Sequence, residues 1–120
     1  MGIEICIINP YATVQSNKKL KHSVSSVIDK SSTVYMSEVS IAEDYYSYYL
    51  ETKNVSKLTK EIENNNSSDA FILECFEDIG IDIIRKITSK PVIGVGEAAF
   101  YTASIIANKF SIITNLSVSH

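Results

Sequence analysis

Cys75 is the side chain best placed for chemistry in this 120-residue sequence. It follows the apolar run Ala70-Phe-Ile-Leu73 and Glu74, and precedes Phe76, Glu77, Asp78, Ile79 and Gly80. An apolar strand that ends in a reactive group and a turn delivers that group to the carboxyl edge of a parallel sheet. Open α/β sheets bind ligands at that edge. A free thiol titrates near ~8.5, so it can act as acid or base close to neutrality. The dipole of a helix opening near Ile79 and Gly80 would lower that value. Glu74, Glu77 and Asp78 would raise it, because neighbouring negative charge disfavours a second anion. Two readings of Cys75 stand side by side: a buried thiol packed as a small hydrophobe, and a thiolate nucleophile or base.

The remaining candidates are fewer. Asn9-Pro-Tyr-Ala-Thr13 leaves the first apolar strand at the same sheet edge, and Asn9 and Thr13 could bind a carboxylate or carbonyl. Gly94 and Gly96 let one backbone pass close to another group. The segment Gly94-Val-Gly-Glu-Ala-Ala99 lacks the third glycine of a dinucleotide fingerprint and follows the fourth strand rather than the first. Cys6 lies mid-strand between Ile5 and Ile7, a core position, and a Cys6–Cys75 disulfide would need a close approach that these positions disfavour. His22 falls on the lysine-rich face of a helix and His120 is the last residue. No metal-ligand spacing and no Ser-His-Asp arrangement is visible. The expectation is a chain without metal or cofactor.

These residues need a scaffold to hold them. Ile3 to Ile8 read as a strand, stopped by Asn9-Pro10. Leu20, Val24, Val27 and Ile28 recur at helical spacing, with Ser16 as an N-cap. Thr33 to Met36 form a second strand. Residues 38 to 51, with Tyr45 to Tyr49, suit a surface helix or a substrate-side loop. Val55, Leu58 and Ile62 mark a helix, and Asn64 to Ser68 a turn. Ala70 to Leu73 is the third strand, and Ile79, Ile83, Ile84 and Ile87 the third helix. Val92 to Val95 is a fourth strand, a helix runs from Glu97 to about Asn108, and Phe110 to Thr114 reads as a fifth strand. Strands and helices alternate, which specifies a three-layer αβα, flavodoxin-like fold on a parallel four- to five-stranded sheet. One α/β domain over 1–114 and a polar tail over 115–120 follow.

The composition, 45% hydrophobic and 21% charged, is that of a globular protein. A net charge of −3 gives no reason to expect nucleic acid or an anionic membrane as partner. No run is long enough to span a bilayer. The N-terminus lacks signal-peptide features. Two cysteines suit free thiols in a reducing compartment, so the expected location is cytoplasmic.

Three segments together resemble a known family: Ile7-Ile-Asn-Pro10, Asp69 through Cys75 to Gly80, and Ile87 through Pro91 to Ala99. They look like hydantoin racemases of the aspartate/glutamate racemase superfamily. Ser40, Ile41, Glu43 and the following tyrosines resemble that family's substrate-side segment. The resemblance implies a cofactor-independent racemase whose two α/β halves each give one cysteine to a shared cleft. One thiolate takes the Cα proton and the other thiol returns one to the opposite face. It casts Cys75 as the catalytic cysteine of the first half. Asn9, Thr13, Phe76, Gly96 and Glu97 become substrate-binding, with a small molecule such as a 5-substituted hydantoin, allantoin or an amino acid as substrate. Tyr11 and Ala12 stand where the family has Asn-Thr, and Glu74 and Glu77 where it tends to smaller or neutral residues. The chain reads as the family's N-terminal half, with the second cysteine lying in the other half. Inheritance from a longer parent, completion by a homo-oligomer, an inactive remnant, and a small-molecule-binding or thiol-redox module are the alternatives this leaves.

Overall fold

In the computed structural model, which describes residues 2–10, 14–38 and 48–113, four strands and four helices alternate strictly. They are β1 (Glu4–Asn9), α1 (Val14–Ser25), β2 (Thr33–Glu38), α2 (Tyr48–Asn64), β3 (Ala70–Leu73), α3 (Ile81–Ile87), β4 (Val92–Gly94) and α4 (Val95–Ile106). The sheet order is β2-β1-β3-β4 and every pairing is parallel. This α/β architecture is the one expected from the alternation of apolar runs and helical periods. Among the described residues no helix is long and apolar enough to cross a membrane.

The strand pleat sorts side chains to two faces. Cys6, Ile8, Phe71, Leu73 and Val92 form one buried cluster with Leu58 and Ile62 of α2 and Ile84 of α3. Ile7 and Asn9 alternate with Cys6 and Ile8 in β1, and the Asn9 side chain bonds Asn17 of α1. Thus α2 and α3 cover one face and α1 the other. Between β1 and β3 the chain changes its direction of winding. The carboxyl ends of those two strands frame the topological switch point, where folds of this order place ligands.

Four local expectations change. Ser16 lies inside α1, so it does not cap that helix. The helix ends at Ser25, ahead of Val27, which is 84% exposed. The cause is a cluster of hydroxyls: Ser23, Ser25 and Ser26 donate to the carbonyls of Lys19, His22 and Ser23, and such bonds compete with the helix. Residues 110–113 form no strand, although their apolar pattern suits one. A strand needs a paired neighbour as well as propensity, and Ile113 is 98% exposed. Finally, α4 begins at Val95, two residues early, for a reason that lies in the site.

Candidate active site

Cys75 sits two residues beyond β3, where the chain leaves the sheet. It is 4% exposed and belongs to the α2–α3 side of the core. The chain then turns sharply. The Asp78 amide donates to the Cys75 carbonyl at 2.9 Å, and the Ile81 amide to the Asp78 carbonyl at 3.1 Å. Asp78 has φ 49° and Gly80 φ 73°, the left-handed region that aspartate tolerates and glycine favours. Gly80 then leads into α3.

The sulfur has company of both signs. Its S–H donates to Glu77 Oε2 at 3.3 Å. The backbone N–H groups of Ile79 and Glu77 point at it and favour a thiolate, whereas burial and the Glu77 carboxylate favour the thiol. Burial is the largest effect, and the thiol is pushed up to about 12. Of the three acids flanking the cysteine in sequence, only Glu77 turns to it. Glu74 is half-buried beside the strand end and its carboxyl is pushed up by burial.

Asp78 does something else. Its carboxylate accepts the Gly96 N–H at 3.0 Å and the Glu97 N–H at 2.6 Å. These are orphan donors in the first turn of α4, and a carboxylate there also complements the helix dipole. Asp78 therefore caps a helix 18 residues downstream, which is why α4 starts at Val95. The glycines answer to the same approach. A Cβ on Gly94 would collide with the Asp78 carboxylate. One on Gly96 would collide with the Phe76 carbonyl and stand 2.8 Å from Asp78 Oδ2.

Glu97 is engaged by Arg85 and by the start of its own helix. Its Oε1 accepts the Gly94 N–H at 3.2 Å, and Arg85 of α3 pairs with both its oxygens. Arg85 also donates to the Val92 carbonyl through Nε at 3.2 Å and through NH2 at 2.8 Å. The guanidinium holds the Glu97 carboxyl below the usual carboxylate range, and the pair lies near the surface. Phe76 is 42% exposed and meets Phe100 of α4 edge-on, with ring centres 5.4 Å apart.

The structure thus gathers Cys75, Phe76, Gly96 and Glu97 around one junction, the cysteine turn docked on the start of α4. Asn9 occupies the same sheet edge from the opposite face. It is buried, and its Nδ2 donates to Asn17 Oδ1 at 2.9 Å. Thr13 lies outside the described residues, as do Ser40, Ile41, Glu43 and His120. Sequence reasoning missed the Asp78 cap and the Arg85 clasp. An aspartate two residues before a turn glycine signals a tight turn, but no local pattern names a partner so far along the chain.

The described residues define an open, parallel α/β sheet with a buried thiol at its switch point. Residues 5–120 match the Asp/Glu/Hydantoin racemase family, and the chain belongs to it. It is 34% identical over 119 residues to a hydantoin racemase of Pseudomonas sp. (strain NS671), covering 95% of this chain and 47% of that protein. It is 27% identical over 118 residues to a hydantoin racemase of Paenarthrobacter aurescens, covering 95% and 50%. The fold superposes on an allantoin racemase from Klebsiella pneumoniae with TM-score 0.74 at 19% identity, over 87% of this chain and 44% of that one. The chain spans about half the length of the curated relatives it matches.

Proposed function

We propose that the chain carries one proton-transfer half of a cofactor-independent racemase, with Cys75 as the group that exchanges a proton with the acidic carbon of a small cyclic amide or amino acid. The observation that carries this reading is the placement of a thiol at the switch point in a chain of this family. Inversion at carbon needs an acid on one face and a base on the other. Cys75 serves one face. The opposing group comes from a second copy of the chain or from the further half-length that the relatives carry. Phe76, Gly96, Asn9 and Thr13 border the substrate, and Glu97 buttresses the junction through Arg85. The substrate class is that of the named relatives, a 5-substituted hydantoin or allantoin, with free amino acids as the wider superfamily alternative.

The competing thiol-redox reading finds less support. Redox-sensing cysteines are exposed and poised toward the thiolate, whereas this thiol is buried and pushed up.

Deuterium wash-in at the acidic carbon of a 5-substituted hydantoin in D2O, followed from neutral to alkaline pH, tests the reading. Exchange above both the spontaneous rate and a Cys75→Ala control is expected, since a single group can exchange a proton on one face without inverting the centre. Equal exchange in the folded Cys75→Ala protein would remove Cys75 from the chemistry. Light scattering across a concentration series then separates the two sources of the opposing group: dimer mass is the result that a second copy requires.

A further inference from the structure

The fourth helix is apolar on two sides. Gly96, Phe100 and Ala103 share the side that docks: Gly96 is buried, Phe100 meets the Phe76 ring, and Phe100 and Ala103 are partly covered. On the other side Ala98, Tyr101, Ile105 and Ile106 recur at the i, i+3, i+7, i+8 spacing of a stripe that faces a core. Tyr101, Ile105 and Ile106 are nevertheless exposed. From Ala98 to Asn108 the chain carries no charged residue. The two hydroxyls of that stretch are turned back on the helix: Thr102 donates to the Ala98 carbonyl and Ser104 to the Tyr101 carbonyl, each at 2.7 Å. A helix without a charged face belongs in an interior, yet the outer side of this one stands in water. We propose that the outer stripe of α4 is a self-association surface, covered in solution by the same stripe of a second copy of this chain.

Charge and area choose that occupant. The chain has a net charge of −3, but none of it lies on the stripe. Two copies therefore meet there without the like-charge opposition that penalises wrong partners. Glu97, at the start of the helix, is already paired with Arg85. A nucleic acid, an anionic membrane or a charged peptide finds no ionic contact on such a surface. Phe110, Ile112 and Ile113 continue the exposed apolar run beyond the helix. With Tyr101, Ile105 and Ile106 they supply six large side chains. At roughly 100 Å² of apolar surface apiece, these offer about 600 Å² per copy, close to the ~800 Å² per partner of a standard interface. A two-fold contact is also self-complementary. Tyr101 and Ile105 stand one helical turn apart, so Tyr101 of each copy can lie against Ile105 of the other. The pairing is independent of which group opposes Cys75.

The test is the mass of the whole chain by light scattering from about 1 μM to about 1 mM, beside Ile105→Lys, Ile105→Leu and Val27→Lys. Wild type is expected to pass from monomer to dimer in that range, and its urea midpoint to rise with concentration. Ile105→Lys should weaken association at least about a hundredfold, because each copy loses a buried isoleucine worth about tenfold. Circular dichroism checks that it is folded. At monomeric concentrations its stability should match wild type, since the stripe is then open in both. Ile105→Leu keeps the apolar volume, and Val27→Lys changes an exposed site after α1, so both should dimerise as wild type does. A wild-type chain that stays monomeric throughout overturns the proposal and leaves the stripe to the further half-length that the relatives carry. A folded Ile105→Lys chain that dimerises with wild-type affinity overturns it as well. Mass is read without substrate, so either result stands whether or not Cys75 exchanges a proton.

Discussion

At the residue scale, the two cysteines are both core thiols, and their burial ties stability to alkaline pH. Burial pushes Cys6 up to about 11 and Cys75 up to about 12, from 9.0. Between 9 and those values the unfolded thiols have lost their protons while the folded ones keep theirs. The unfolded state then binds fewer protons, so rising pH favours unfolding. The urea midpoint is expected to fall from about pH 9 toward 12, and Cys75→Ala should flatten the upper part of that fall. An unchanged slope in the variant would show that the thiol is not held neutral by the fold. Glu97 works in the opposite direction and weakly. Arg85 holds it ionised, so its support is present above the ordinary carboxylate range and fades as pH falls through its lowered value. The pair is solvent-accessible, and exposed ion pairs contribute ~1 kcal/mol at most.

At the element scale, the junction between the cysteine turn and α4 depends on Asp78. Asp78→Ala removes the acceptor for two first-turn amides and should cost about 1–2 kcal/mol, the range of lost helix caps, measured by chemical denaturation. Asp78→Asn keeps one acceptor oxygen and should cost less. Gly96→Ala meets the Phe76 carbonyl, a backbone atom that cannot swing aside. It should therefore displace the Cys75 turn as well as destabilise. The expected signature is loss of Cys75-dependent exchange in a variant that still shows its helical spectrum, whereas Ala98→Gly, one turn position away, should leave exchange in place.

At the scale of the whole molecule, the core is one-sided in what it decides. Phe71 is fully buried at the centre of the sheet, and Phe71→Ala should cost about 3–5 kcal/mol by denaturant titration. That is much of the total for a domain of this size. Around α4 and beyond it the opposite holds. Tyr101, Ile105 and Ile106 are 70%, 83% and 78% exposed. Ile105→Lys should change the stability of the isolated chain by less than about 0.5 kcal/mol, as at other open surface sites. A large loss would mean that this face is covered in solution.

The sequence by itself determined the order and type of the elements and the place of the key thiol. Periodicity and turn residues are local signals, and they located β1, β3 and Cys75 correctly because the buried strands are short, apolar and bounded by Asn9-Pro10, the asparagine run and Pro91. It also carried the family, through the segments around Pro10, Cys75 and Gly96. Only the tertiary structure decided which carboxylate touches the sulfur, which one caps α4, and that Asn9 and Cys75 approach the same edge from opposite faces of the sheet. The run over 110–113 makes the same point in reverse, since its β-branched pattern found no neighbour to pair with. Contacts of these kinds join residues far apart in the chain, or depend on which way a side chain turns after a strand ends. Neither property is written in any local spacing.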